Sequence, residues 1–168
     1  KDTTKISKFK KFITIYGNTN LKKIYKLNYK NIYLKKSIIQ SGSKKYVDEF
    51  LRCEEESPSD LIEIHNRPNY FHMIYNNKIN KKIVLYFHND PLTMTGSRSV
   101  RDRKKLLTNA AKIIFNSYWS KKRFLEGIKG YDINSEKMVV IYQSTEPTYV
   151  NIKKKKNWIT FVGKLNKA

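Results

Sequence analysis

The feature that most restricts the fold of this chain is a regular alternation of short apolar runs with longer segments of helical spacing. The clearest run is IVLYF at 83–87, which is apolar throughout, as a strand buried on both faces of a sheet would be. Further runs with strand character lie at 12–16, 31–39, 61–64, 112–115, 138–142 and 158–162. Strands that alternate with helices of about ten to twelve residues indicate right-handed βαβ units. The sequence therefore predicts an α/β fold with a doubly wound, mostly parallel, Rossmann-like sheet.

Helices are predicted where apolar residues recur every three or four positions. Segments with this spacing follow Ser43 and lie at 70–75, 100–111 and 118–128. Ser43 and Ser117 are suited to cap the first and the last of these helices, and Ser57-Pro58-Ser59 stops the first. The residues of the last helix that are expected to face the core are Trp119, Phe124, Leu125 and Ile128. The acidic end of the first helix, Glu54-Glu55-Glu56, is expected to be a solvated face.

A domain boundary is predicted near residue 150. The lysine-rich stretch 151–157 has no apolar period, so we interpret it as a linker. The first domain then spans 1–150, and 158–168 supplies the first strand of a second domain.

The formal net charge of +21 comes from 35 Lys and Arg against 14 Asp and Glu. An excess of this size attracts phosphates, whether in nucleic acid, nucleotides or anionic membranes. The lysines, however, fall in almost every segment instead of one stripe. Lys, Asn, Ile and Tyr are all abundant and share A/T-rich codons, so compositional bias is the main explanation of the charge and phosphate attraction a secondary one.

Cysteine and histidine usage argues against a metal protein. Cys53 is the single cysteine, so it can form neither an internal disulfide nor a metal cluster. Three histidines without spaced cysteines do not predict a metal site either. No apolar run approaches the ~20 residues that cross a bilayer, and no secretory leader is recognisable. We therefore expect a cytoplasmic protein that holds no metal.

Polar turns follow three of the predicted strands. The three turns are His65-Asn66-Arg67-Pro68, His88-Asn89-Asp90-Pro91 and Asn116-Ser117. The carboxyl ends of parallel strands meet at one edge, where open α/β sheets bind their ligands. Asn, Asp and Pro are also ordinary turn formers, so for the two His-Asn-x-Pro turns a binding crevice and plain turns are about equally expected. His72, on a predicted helix, is expected to be a packed residue without a functional role.

Five segments between Asp60 and Ala168 resemble the group 1 (GT4-like) bacterial glycosyltransferases of the two-domain GT-B architecture. They are DLIEIHNRP, IVLYFHNDP, AKIIFNSYWSKKRFLEG, VVIYQSTEP and WITFVGKLNKA. The last is the most specific, because the second domain of that family opens with a strand that ends in Gly-Arg-Leu. Gly163, Lys164 and Leu165 match this motif, with Lys in place of the usual Arg.

The resemblance implies transfer of a sugar from a nucleotide-sugar donor to an acceptor hydroxyl, with retention of configuration and without a metal or other cofactor. His88 matches the histidine that the family places near the reacting sugar, and is therefore the implied catalytic residue. The implied acceptor contacts are His65, Asn66, Arg67, Asn89 and Asp90. The implied donor-diphosphate contacts are Gly163 and Lys164, because glycine admits backbone N–H groups to phosphate oxygens and lysine supplies charge.

The implied partners are a nucleotide-sugar and a glycan or glycolipid acceptor of the cell envelope, with no nucleic acid. A basic surface would suit an enzyme at the inner face of an anionic plasma membrane. The family's first strand, its glycine-rich loop and its Glu-x7-Glu segment are not recognisable in this sequence. We therefore expect a fragment that does not transfer sugar by itself.

A non-catalytic nucleic-acid-binding α/β module is the alternative interpretation. The charge of +21 and 12 tyrosines, which can stack on bases, favour it. The sequence lacks a nucleic-acid recognition motif and a localised basic stripe. One continuous positive groove would favour this alternative, whereas diffuse charge around a polar crevice would favour the transferase.

Overall fold

A computed structural model describes residues 13–17, 28–32, 41–129 and 135–144. The strands in these ranges are β1 (Thr14–Gly17), β2 (Asn28–Asn31), β3 (Leu61–His65), β4 (Lys82–Phe87), β5 (Lys112–Phe115) and β6 (Met138–Val140). The helices are α1 (Gly42–Glu56), α2 (Pro68–Asn76), α3 (Val100–Asn109) and α4 (Tyr118–Leu125). Two 3₁₀ turns, Pro91–Thr93 and Ser135–Lys137, precede α3 and β6. None of these four helices is long and apolar enough to cross a bilayer.

Every strand pair in the described part of the chain is parallel. Strands β3, β4, β5 and β6 form one sheet in that order, and β1 and β2 form a second, two-stranded sheet. Strand β4 is central, with Leu85 opposite both Ile64 and Ile113. Four of the five residues 83–87 are buried: Ile83, Leu85 and Phe87 on the core face and Val84 on the other, which accounts for the apolar run. Parallel sheets flanked by helices confirm the α/β prediction and are consistent with a Rossmann-like, doubly wound fold.

The hydrophobic core lies on one face of the four-stranded sheet. Ile64, Leu85 and Ile113 are neighbours in the register, point to the same face and are buried. Helices α2, α3 and α4 cover this face with side chains of the same cluster, including Phe71, Leu106 and Phe124. The opposite face carries the alternate residues of each strand, among which Glu63 and His65 are exposed, Tyr86 and Ile114 are half-buried and Val84 is buried.

Three fully buried rings hold α4 against the carboxyl ends of β4 and β5. The centroid of Phe87 lies 5.6 Å from that of Phe115 and 5.5 Å from that of Phe124, and the latter two are 5.3 Å apart. Such pairs contribute about 0.5–1.5 kcal/mol each beyond buried area. Phe87 directly precedes His88 and Phe115 directly precedes Asn116, so this cluster fixes where the polar turns begin.

Some element boundaries differ from the predicted ones. Ser41 caps α1 in place of Ser43, because its Oγ accepts the N–H of Lys44 at 3.2 Å. Strand β2 ends where the predicted strand 31–39 begins, and 33–40 lie outside the described residues. The predicted linker 151–157, the strand 158–162 and the boundary near 150 also lie outside them. Ser117 caps α4 as predicted.

Two predictions of side-chain burial are wrong. Trp119 was expected in the core, but 58% of its surface is exposed. The short helix α4 buries Phe124, as predicted, and Ser120 in place of Trp119; these two residues lie four positions apart on one face. Glu54 was expected to be solvated, yet it is only 7% exposed. Its Oε2 accepts hydrogen bonds from Ser59 N and Oγ at 3.1 and 2.8 Å, which compensate the loss of water.

The loop between the 3₁₀ turn Pro91–Thr93 and α3 packs tightly on the start of α2. Gly96 in this loop has a φ of 92°, a left-handed conformation that side chains disfavour. A Cβ at this position would lie 2.5 Å from the backbone nitrogen of Asn69. His72 Nε2 donates a hydrogen bond to Gly96 O at 2.7 Å, so His72 is packed, as expected.

Replacing Gly96 with alanine is expected to lower the free energy of unfolding by about 3 kcal/mol or more, because backbone strain and a backbone clash add together. Urea denaturation measures the loss. Gly127→Ala is the matched control: Gly127 also has a positive φ, 74°, but its nearest contact is the movable side chain of Val100 at 3.3 Å. We expect about 1–2 kcal/mol there. Equal losses at the two glycines would contradict the close packing of Gly96.

Candidate functional site

The polar turns after β3, β4 and β5 are joined directly at the carboxyl edge of the sheet. Asn66 has a φ of 53°, and its Oδ1 accepts the backbone N–H groups of His88 and Asn89 at 2.8 and 3.3 Å. Asn116 Nδ2 donates to His88 O at 2.7 Å. The turn after β4 is thus held from both neighbouring strands. The predicted convergence of these turns on one edge is confirmed.

The two histidines of these turns contact each other. His65 Nδ1 lies 2.8 Å from His88 Nε2, and the rings are close to parallel, with centroids 5.1 Å apart. Tyr86 lies beside both rings, 4.2 Å from the His88 centroid and 5.5 Å from that of His65. Tyr86 pairs with His65 in the register, and His88 follows two positions later, so all three lie on the face opposite the core.

Two further side chains extend the histidine pair at both ends. Glu63 Oε1 lies 2.9 Å from His65 Nε2, and Gln143 Nε2 lies 2.6 Å from His88 Nδ1. Gln143 is positioned by the segment after β6, where Tyr86 Oη donates to Ile141 O at 2.9 Å. The four side chains Glu63, His65, His88 and Gln143 form a continuous hydrogen-bonded row, which we call the histidine row.

The charges in the histidine row are set by its contacts. Burial, followed by the neighbouring His65, lowers the pKa of His88 below its ordinary value. The hydrogen bond from His65 lowers the pKa of Glu63 and outweighs its partial burial. Near neutral pH the row therefore consists of a carboxylate at one end and a neutral His88 near the other. A neutral imidazole is suited to bind a hydroxyl or to accept its proton.

The remaining predicted residues lie around this row with different contacts. Arg67 is exposed, and its Nη1 donates to Asn66 O at 3.0 Å. Asn89 is also exposed at the turn. Arg123 Nη2 donates to Asp90 Oδ2 at 3.0 Å, and Asp90 Oδ1 accepts the N–H of Leu92 at 3.0 Å. Gly163 and Lys164 lie outside the described residues.

The contacts of Asp90 indicate a structural role. Burial raises the pKa of this carboxyl, but the hydrogen bonds from Arg123 and the Leu92 N–H outweigh it, so the pKa lies below its ordinary value. The carboxylate of Asp90 links the turn after β4 to α4 through Arg123.

Exposed aromatic side chains follow β5 and β6 at the same end of the sheet. Tyr118 and Tyr142 are 68% and 63% exposed, and their rings meet edge to face with centroids 6.2 Å apart. Trp119 is also exposed, with the Arg123 guanidinium 5.7 Å from its ring centroid. Tyr142 is adjacent to Gln143, and Tyr118 follows the Asn116-Ser117 turn. The exposed rings thus follow the same strand ends as the polar turns.

Sequence reasoning missed Glu63, Tyr86 and Gln143. Glu63 stands two residues before His65 on a strand, which already places both on one face. Gln143 directly follows the predicted strand 138–142, the same position that His65 and His88 hold after theirs. Tyr86 had no signal, because it lies within an apolar run. Within the described ranges no three His, Cys, Asp or Glu side chains converge in a way that could hold a metal ion.

Comparison of the sequence with models of protein families gives no match, and comparison with curated proteins gives none either.

Proposed function

We propose that this chain contains the acceptor-binding domain of a glycosyltransferase that moves a sugar from a nucleotide-sugar to an acceptor hydroxyl in the cell envelope, followed by the start of its donor-binding domain. The observation that carries the proposal is the histidine row, which places a neutral His88 at the carboxyl edge of a parallel sheet. Open α/β sheets bind ligands at that edge. The sequence resemblance to GT4-like enzymes independently points to the same histidine.

The chemistry around His88 suits a sugar acceptor. Sugars offer many neutral hydroxyls and one apolar ring face, so they need hydrogen-bonding groups beside an exposed aromatic surface. His88 and Gln143 supply the first, and Tyr118 and Tyr142 supply the second. We assign acceptor binding to this edge, with His88 nearest the reacting hydroxyl, and donor-diphosphate binding to Gly163 and Lys164.

The distribution of charge supports a transferase over a nucleic-acid-binding module. The side chains of Lys44, Arg52 and Arg123 are paired with carboxylates. Those of Lys112, Lys121 and Lys137 donate to backbone carbonyls. These six cations are spread over α1, β5, α4 and the turn before β6 instead of one stripe, as diffuse charge would be. The exposed Tyr118, Trp119 and Tyr142 are the observation that favours the alternative, because aromatic rings also stack on unpaired bases.

A binding experiment on the full-length protein separates the two functions. UDP and GDP serve as probes of the donor site in calorimetry, and a labelled single-stranded RNA serves as the competing probe. Lys164→Ala is expected to weaken binding of the preferred nucleotide by roughly tenfold, the loss of one charge-assisted phosphate contact. Lys105→Ala, an exposed lysine on α3, is the control and should change nothing. RNA binding tighter than that of both nucleotides, and unaffected by Lys164→Ala, would contradict the transferase.

A further inference from the structure

When both histidines are neutral, Glu63 determines the direction of every hydrogen bond in the histidine row. A carboxylate can only accept, so the proton of this contact lies on His65 Nε2. A neutral His65 then has a lone pair on Nδ1, and the partner at 2.8 Å, His88 Nε2, must carry the proton between them.

The far end of the row agrees with this direction. With its proton on Nε2, a neutral His88 has a lone pair on Nδ1, which requires a donor opposite it. The amide nitrogen of Gln143 is at that position, 2.6 Å away. Each of the three contacts therefore pairs one donor with one acceptor. No other set of tautomers of two neutral histidines gives the Glu63 carboxylate a donor and also pairs the remaining two contacts.

We infer that Glu63 and His65 are positioning residues, which hold His88 in the tautomer whose Nδ1 accepts a hydrogen bond from a ligand hydroxyl in place of the Gln143 amide. The ligand class rests on the proposed function, whereas the tautomer rests on the geometry of the row with both histidines neutral. Gln143 is exposed, so its side chain can leave without unpacking the core.

The tautomer determines which ligands His88 can bind. A phosphate or carboxylate oxygen would face the lone pair on Nδ1 and be repelled. A sugar hydroxyl donates to the same lone pair and loses little when it replaces one donor by another. Glu63 does not contact the ligand itself. It acts through His65 and His88 and thereby favours ligands that donate a hydrogen bond from a neutral hydroxyl.

Imidazole ¹⁵N NMR of the full-length protein measures the tautomer directly. In the wild type at a pH above the titration of His88, we expect Nε2 to be protonated and Nδ1 to be bare. Glu63→Gln no longer requires the proton to lie on His65 Nε2, because a carboxamide can either accept or donate a hydrogen bond. The preference of His88 for one tautomer should then fall by roughly tenfold. Glu55→Gln, an exposed change of the same kind on α1, should leave the His88 signals unchanged.

The converse variant acts from the other end. Gln143→Glu places an acceptor opposite Nδ1, so His88 should become protonated on both nitrogens near neutral pH. A wild-type His88 that carries its proton on Nδ1, or a His88 that does not respond to Gln143→Glu, would overturn the inference. The NMR signals do not depend on sugar transfer. An inactive enzyme with the expected tautomer would therefore count against the proposed function alone.

Discussion

Replacing His88 with alanine is expected to lower sugar transfer by the full-length enzyme roughly 100-fold or more while the fold is retained. The side chain lies at the end of β4, partly exposed, and its contacts are to Tyr86, His65 and Gln143 outside the core cluster. Its loss removes the group nearest the reacting hydroxyl but no core packing. Steady-state transfer rates and melting temperatures of the variant and the wild type provide the comparison.

His72→Ala is the matched control for this variant. It deletes the same side chain from α2, where His72 binds Gly96 O at 2.7 Å away from the row. We expect about 1 kcal/mol of lost stability and unchanged transfer. If His88→Ala transfers sugar at the wild-type rate with normal stability, His88 is only a residue of the turn.

The largest loss of stability outside the core is expected at Arg103. This arginine of α3 is only 2% exposed, and its guanidinium binds three backbone carbonyls. Nη1 donates to Ser97 O and Arg98 O at 3.0 and 2.7 Å, and Nη2 donates to Glu126 O at 2.5 Å. It thereby ties the loop before α3 to the end of α4. Arg103→Ala is expected to cost about 3–5 kcal/mol, because the carbonyls lose their donor in a buried setting.

Urea denaturation of the variant measures this cost. Arg101→Ala, an exposed position on the same helix, serves as the control and should fall within about 0.5 kcal/mol of the wild type. Arg103→Lys should recover only part of the loss, because an ammonium cannot reproduce the planar fork of donors. Equal stability of the Arg103 and Arg101 variants would show that the carbonyls find other partners.

The order of strands and helices could be predicted because the spacing of apolar residues in each segment depends on whether its backbone is helical or extended. The continuous run 83–87 identified the central strand, and the His-Asn turns after two strands identified the sheet edge. The error at Trp119 arose because burial on the short helix α4 depends on how the helix is rotated about its axis relative to the sheet. Trp119 lies one position before Ser120, and this single step of about 100° moves it from the core to solvent.

Glu54 shows the converse error. It shares a helix face with Phe50 and Cys53, at spacings that predict burial, but an acidic run suggested solvent. Only the fold reveals that Ser59 supplies its hydrogen bonds. The contacts within the histidine row were likewise beyond the sequence, since they depend on the register that brings His65 beside Tyr86 and on the segment after β6 that brings Gln143 to His88.

Acceptor-dependent turnover of a nucleotide-sugar by the full-length enzyme tests the central claim most directly. Release of nucleoside diphosphate and transfer of labelled sugar to a glycan or glycolipid acceptor are measured in the same reaction, without added metal. The account predicts that both products form in equal amounts and that the anomeric configuration of the donor is retained. Tight RNA binding by the full-length protein, with no diphosphate released from any UDP- or GDP-sugar, would contradict it.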